Sequence, residues 1–139
     1  MMYRQYEKTG KSVSVLGFGS IRFPPDDLAD EEGLWRCAEL VRKASTNGVN
    51  FFDVAPVYAD GLAERIYGMA FRDIPNPFYI SDKSMITSDK TGDDVRRRID
   101  QSLAYMGVEK ITFYHMWSIM NLDHFHSVMA AGGPYDGAM

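Results

Sequence analysis

Cysteine is nearly absent. Cys37 stands alone, so no internal disulfide can form, and a disulfide framework of the secreted type is excluded. Basic residues are also in short supply, 15 Lys and Arg against 19 Asp and Glu for a net charge of −4. They are spread along the chain, so the basic footprint that holds a protein to a phosphate backbone is missing, and nucleic acid is not expected as a partner. No stretch is apolar enough to span a bilayer, and Met1 to Gly10 is polar and charged where a secretory signal would be apolar. No membrane partner is expected, and the cytoplasm is the expected compartment. Repeats, low-complexity tracts and linkers are lacking too. The 139 residues, 45% hydrophobic and 24% charged, therefore read as one globular domain spanning 1–139.

What is present is a repeating alternation. Tyr3 to Glu7 and Ser12 to Val15 flank Lys8-Thr9-Gly10-Lys11, which has the composition of a hairpin turn. Leu16 to Gly19 follows as a short strand. Asp30 then caps a helix with Leu34, Cys37, Ala38 and Val41 on one stripe, Glu31 and Glu32 in its first turn, Arg42 and Lys43 in its last, and Gly48 as its C-terminal cap. Val49 to Val54 reads as the second strand, and Leu62, Ile66, Met69 and Ala70 as the second helical stripe. Phe78 to Ile80 and then Val95, Ile99, Leu103 and Met106, ended by Gly107, make a third cycle. Ile111 to Tyr114 opens a fourth, with Leu122, Phe125, Val128 and Met129 suggesting a helix that Gly132-Gly133-Pro134 breaks. Strand and helix in units of ~30 residues predict a parallel sheet covered by helices. A complete (β/α)8 barrel runs to ~250 residues, so the chain is expected to form about four units, the N-terminal half of a TIM barrel with an N-terminal hairpin, truncated after the fourth strand region.

Polar residues fall at matching places in these units. Asp53 is expected to close the second strand, Lys83 the third and His115 the fourth, with Tyr58 in the loop after Asp53. Each alone has an ordinary explanation, as a solvated charge, a satisfied core histidine or a packing tyrosine. Three consecutive strands ending in ionisable residues point to one rim, where α/β barrels carry their chemistry. The set suits carbonyl reduction, in which hydride reaches the carbonyl carbon while an acid protonates the alkoxide. A phenol, with a reference pKa near ~10, gives up its proton more readily beside an ammonium. Tyr58 is the candidate acid, Lys83 the candidate ammonium, Asp53 its carboxylate partner, and His115 a hydrogen-bond donor to the substrate oxygen.

Over essentially its whole length the chain resembles the aldo-keto reductases. Tyr3-Arg4 through Gly10 and Val13 to Gly19 look like that family's opening, and Asn50-Phe51-Phe52-Asp53-Val54-Ala55-Pro56-Val57-Tyr58 looks like its signature segment. The family's Asp, Tyr, Lys, His tetrad carries over onto Asp53, Tyr58, Lys83 in Ser81-Asp82-Lys83-Ser84, and His115 in Tyr114-His115-Met116-Trp117. The resemblance implies NADPH-dependent reduction of small-molecule aldehydes or ketones, with Tyr58 as acid, Lys83 and Asp53 tuning it, and His115 orienting substrate. It also implies cofactor contacts at Ser20, Ile21 and Asp53, while most of the NADPH site belongs to the later strands of the barrel. Ala59 and Ala63 depart from the family's common Gly and Ser. The stretch Trp117-Ser118-Ile119 and Gly132 to Ala138 looks like a bacterial branch whose full-length members often carry a C-terminal iron-sulfur region, for which Cys37 alone supplies no ligand set.

Other signals are weaker. Gly17-Phe18-Gly19 lacks the third glycine of a dinucleotide fingerprint, having Arg22 there. His124 and His126, two apart on a helix, point different ways, which argues against a shared metal. Cys37 on an apolar stripe reads as a buried, inert thiol. Trp117 either walls the substrate pocket or simply packs. The competing reading of function is a non-catalytic barrel fragment or interaction module, with self-association through the exposed edges of a half-barrel.

Overall fold

The computed structural model describes residues 1–139. The expected hairpin is present, β1 (Tyr3–Tyr6) pairing antiparallel with β2 (Lys11–Ser14). It stays apart from the main sheet and is tied to the start of the second barrel strand by Asn50. That side-chain amide accepts from the Ser14 N–H at 2.7 Å and donates to the Ser12 carbonyl at 2.9 Å.

Four strands then form one parallel sheet in the simple order β3 (Phe18–Gly19), β4 (Phe51–Asp53), β5 (Tyr79–Met85) and β6 (Phe113–Trp117). The crossovers that parallel pairing requires are α1 (Glu31–Thr46), α2 (Ala63–Phe71) and α3 (Gly92–Met106). α4 (Leu122–Met129) and α5 (Pro134–Ala138) follow β6. These are four consecutive βα units of a (β/α)8 barrel behind an N-terminal hairpin. No helix is long and apolar enough to cross a membrane.

The helix ends follow from their residues. The Asp30 carboxylate accepts from the Gly33 N–H at 2.8 Å and caps α1. Thr91 and Asp94 form a reciprocal capping box on α3, satisfying two donors that the first helical turn leaves free. Gly107, at φ 64°, takes the left-handed conformation that ends α3. Gly48 ends α1 as expected: it follows the C-cap residue Asn47 with φ 92°, and its N–H donates to the Ser45 carbonyl at 2.8 Å. One expectation for α1 needs correction. Arg42 does not serve the last turn; its guanidinium donates to the Met69 carbonyl at 2.6 Å and pairs with Asp73 at 3.1 Å, tying α1 to α2. Gly68 allows α2 to lie directly on α3, since a Cβ there would overlap the Tyr105 carbonyl.

The core lies between the sheet and these helices. Phe52, Val54 and Ile80 point out of the sheet into Leu34, Cys37, Val41, Ile66, Tyr67 and Met106, all buried. Phe52 packs edge-on to Tyr67 at 5.9 Å and to Phe71 at 5.6 Å, and Phe71 stacks on Phe78 at 4.4 Å. Burial pushes the Cys37 thiol up from its ordinary range, in keeping with an inert core residue. The other face of the sheet is less covered. Phe51, Tyr79 and Phe113 gather there with Tyr6 of the hairpin, and all three are half-buried.

Element boundaries differ from the sequence-based expectations where polarity misleads. The third strand was expected to span Phe78 to Ile80, but β5 continues through the polar run to Met85, because β4 and β6 flank it and take up its backbone groups. β6 likewise runs on to Trp117. Lys83 and His115 are therefore register partners two residues inside their strands, not closing residues. The Gly132-Gly133-Pro134 segment, expected only to break a helix, also begins one. Pro134 occupies the first turn of α5, where its missing N–H and fixed φ suit a helix start.

Candidate active site

Asp53 is the last residue of β4, and its backbone is pinned from three directions. Its carbonyl accepts from the Ser20 N–H at 3.1 Å, the Ser20 hydroxyl at 2.9 Å and the Tyr67 hydroxyl at 3.0 Å. The carboxylate then projects toward β5. Lys83 Nζ donates to both of its oxygens, at 3.0 and 2.9 Å, and to the Val54 carbonyl at 2.8 Å. The Lys83 side chain is 7% exposed and that of Asp53 35%, so the ammonium lies inside the protein against a bidentate partner that water reaches from one side. Tyr58 brings its hydroxyl to 3.5 Å from the same Nζ, which also lies 4.8 Å from the ring centroid. The ammonium stands between carboxylate and phenol.

Tyr58 is delivered by a strained turn. In the segment Tyr58–Gly61, Ala59 has φ 50° and Asp60 φ 56°, a left-handed conformation that costs an L-residue roughly 1–2 kcal/mol. Ala59 is held there by burial in the core. The departure from glycine noted at this position thus leaves the turn formed but under strain. The other departure, Ala63, leaves the start of α2 without a side-chain cap.

His115 comes in from β6, opposite Lys83 in register, on the same side of the sheet. Its Nε2 lies 3.0 Å from Ser81 Oγ, and that hydroxyl donates to Asp53 Oδ1 at 2.8 Å. Ser81, which links Asp53 and His115, is a contact that sequence reasoning missed. The signal was present in the period of a strand, since residues 81 and 83 share a face. Trp117, two residues beyond His115, packs edge-on to Tyr58 with centroids 6.1 Å apart. With Ile21, Phe23 and Tyr58 it lines an open cleft of about 580 Å³. A second cleft, about 520 Å³, opens between Lys11, Pro77 and Lys110 and includes no tetrad residue.

The two remaining expected residues separate. Ile21 is 56% exposed and belongs to the cleft. Ser20 is fully buried, and its hydroxyl is used on the Asp53 carbonyl.

Comparison with known proteins places this geometry. The sequence matches the model of the aldo/keto reductase family over residues 15–129. The chain belongs to the aldo/keto reductase family. It is 29% identical over 128 residues to L-galactose dehydrogenase of Arabidopsis thaliana, covering 84% of this chain and 38% of that protein. Among solved structures it resembles a thermostable aldo-keto reductase in complex with the inhibitor epalrestat, with TM-score 0.71 and 24% identity, over 95% of this chain and 49% of that one. It also resembles an aldo-keto reductase of Bombyx mori in complex with NADP, with TM-score 0.62 and 20% identity, over 82% of this chain and 37% of that one. The chain spans 21% to 38% of the length of curated relatives it matches and 37% to 49% of these two reductase structures. The fold is the N-terminal half of that barrel.

Behind Asp53, Lys83 and His115, on the helix side of β5, lies a second polar group. Asp82 and Glu64 are buried together with Ser102 and the Tyr114 hydroxyl. Desolvation pushes the Asp82 carboxyl up to about 7, against a bond from the Lys83 N–H, and also raises Glu64. Asp82 Oδ2, Glu64 Oε1, Ser102 Oγ and the Tyr114 hydroxyl have no hydrogen-bond partner.

Proposed function

We propose that Asp53, Tyr58, Lys83 and His115 are the proton-handling side of a carbonyl reductase site, serving NADPH-dependent reduction of small aldehydes or ketones to alcohols. The observation that carries this reading is Lys83 Nζ placed 2.9 Å from the Asp53 carboxylate and 3.5 Å from the Tyr58 hydroxyl. Family membership and the NADP complex of the Bombyx mori reductase support it.

The residues present fit one end of such a cofactor. Asp53 offers an exposed carboxylate edge and Ile21 an apolar surface beside Tyr58, so these two would hold the nicotinamide end. Within the cleft only Arg22 offers a cation for phosphate. Ser20 contributes by fixing the end of β4 rather than by direct contact. The nicotinamide supplies the hydride when bound. The substrate carbonyl oxygen lies against Tyr58 and His115, and the Tyr58 O–H gives its proton to that oxygen as negative charge develops. Lys83, kept charged by Asp53, stabilises the phenolate that remains. His115 orients the oxygen, and Trp117 walls the cleft against water. The cytoplasm, which keeps a free thiol such as Cys37 reduced, is the compartment that suits this reading.

In a barrel that carries this tetrad, Tyr58→Phe is expected to lower the rate of NADPH oxidation by ~10²–10⁴-fold while cofactor binding survives. Unchanged turnover would show that the proton comes from elsewhere. A second reading, a non-catalytic module that self-associates, is favoured by the half-buried inner face of Phe51, Tyr79 and Phe113. Light scattering with NADPH titration separates the two. A monomer that binds micromolar NADPH excludes the second reading, and an associated species that binds none excludes activity for these residues alone.

A further inference from the structure

We infer that Ser81 is a positioning residue that holds His115 in the tautomer able to donate from Nε2, an assignment that rests on the reading of His115 as the residue that meets the substrate oxygen. Ser81 is 2% exposed and sits on β5 directly between its two partners' strands, paired with Asp53 on one side and Phe113 on the other. Its hydroxyl has one hydrogen and two neighbours. The Asp53 carboxylate is ion-paired with Lys83 at 2.9 Å and has no hydrogen to offer, so the 2.8 Å contact must be donated by Ser81. Only the Ser81 lone pairs then face His115 Nε2 at 3.0 Å, and a lone pair there requires an N–H opposite. Neutral His115 therefore carries its hydrogen on Nε2 and leaves Nδ1 bare.

Direction in this chain of donors comes from its charged end. A serine hydroxyl next to a histidine ordinarily donates or accepts with equal ease, and the ring follows by taking either tautomer. Lys83 is ion-paired with Asp53, Asp53 takes the Ser81 hydrogen, and the histidine is left with one permitted form. The His115 ring makes this single hydrogen bond and is otherwise exposed on the open side of the sheet, so Ser81 is what fixes it. A carbonyl oxygen entering the site accepts the same Nε2–H. His115 exchanges Ser81 for substrate by a small rotation, and no proton has to move beforehand.

The test is long-range ¹H–¹⁵N NMR of the histidine rings in the 139-residue chain at about pH 8, with His124→Gln and His126→Gln assigning the His115 signals. Wild type should show the Nε2–H form alone. Ser81→Ala should show the averaged shifts of two exchanging tautomers. Ser81→Thr, which keeps the hydroxyl, should restore the single form, and Ser81→Val, of the same shape without it, should not. That isosteric pair decides the matter even if Ser81→Ala fails to fold. Two tautomers in wild type, or an unchanged signature in the folded Ala and Val variants, overturns the proposal. In a barrel that reduces carbonyls, Ser81→Val should lower kcat about tenfold relative to Ser81→Thr, the scale of one lost hydrogen bond. If wild type itself reduces none, the functional reading fails while the ring signature still decides the role of Ser81.

Discussion

On β5, Ser81 and Lys83 point to one side of the sheet and Asp82 to the other, and the two sides treat the same chemistry in opposite ways. On the first, a carboxylate, an ammonium, a hydroxyl and an imidazole meet with every contact made at 2.8 to 3.0 Å. On the second, two carboxyls, a hydroxyl and a phenol are buried with four atoms left over. Charge persists inside a protein only where an opposite charge and enough donors replace water. Asp53 has both, in Lys83 and Ser81. Asp82 has one backbone N–H and a like-charged neighbour, so burial holds it in the protonated form up to about pH 7. The first face holds its charges in paired contacts. The second buries its polar groups between the sheet and α2 and α3 without pairing them.

The largest effect should come from breaking the satisfied side. Lys83→Met leaves the Asp53 carboxylate without its cation and the Val54 carbonyl without its donor. Because Asp53 is 35% exposed, the loss should be about 2 kcal/mol in urea unfolding, below the ~3–5 kcal/mol of a fully buried pair. A change near zero would mean that water already screens the pair.

On the other side the sign reverses. The folded Asp82 pKa, about 7, lies above its unfolded value near 3.8. Its stabilisation is complete below the lower value and is lost as pH rises toward the upper one. Asp82→Asn, which keeps the acceptor for Lys83 N–H, should match wild type near pH 4 and exceed it by roughly 2 kcal/mol at pH 8. Parallel urea titrations at the two pH values check this, and equal curves at both would show that Asp82 is ionised in the fold.

One substitution made twice sharpens the contrast further. The Tyr67 hydroxyl reaches the carbonyls of Phe18 at 2.9 Å and Asp53 at 3.0 Å, whereas the Tyr114 hydroxyl has no partner. Tyr67→Phe should cost about 1 kcal/mol, and Tyr114→Phe should be neutral or slightly stabilising, since it removes an unsatisfied buried group. Thermal midpoints moving in the same direction would contradict the difference drawn between the faces. The smallest effect is expected at Ala59→Gly, where relief of the left-handed backbone outweighs a lost buried methyl by under ~1 kcal/mol. A lower Tm would show that the methyl matters more than the strain.

The fold was legible in the sequence because four cycles of strand and helix repeat, with Asp30 capping a start and Gly107 an end. Asp53, Tyr58, Lys83 and His115 were legible because that repeat put each near the same end of the sheet. Ser81 was not, since a small residue in a polar run gains meaning only from pairing with Asp53, a contact across 28 residues of chain. The same polarity hid the true length of β5. Asp82 and Glu64 carry no signal of burial in the sequence, and only the packing of α2 and α3 against the sheet buries them. Pro134 was read as a stop although its ring serves equally at the start of a helix.

β5 and β6 each continue two residues past Lys83 and His115, to Met85 and Trp117. At about 3.3 Å per residue, that overrun sets Lys83 and His115 some 7 Å back from the strand tips, on the open side of the sheet. Under the function proposed for them, a substrate would have to extend past Trp117 to reach these side chains, so the outline of its leading end would matter before any polar contact is made.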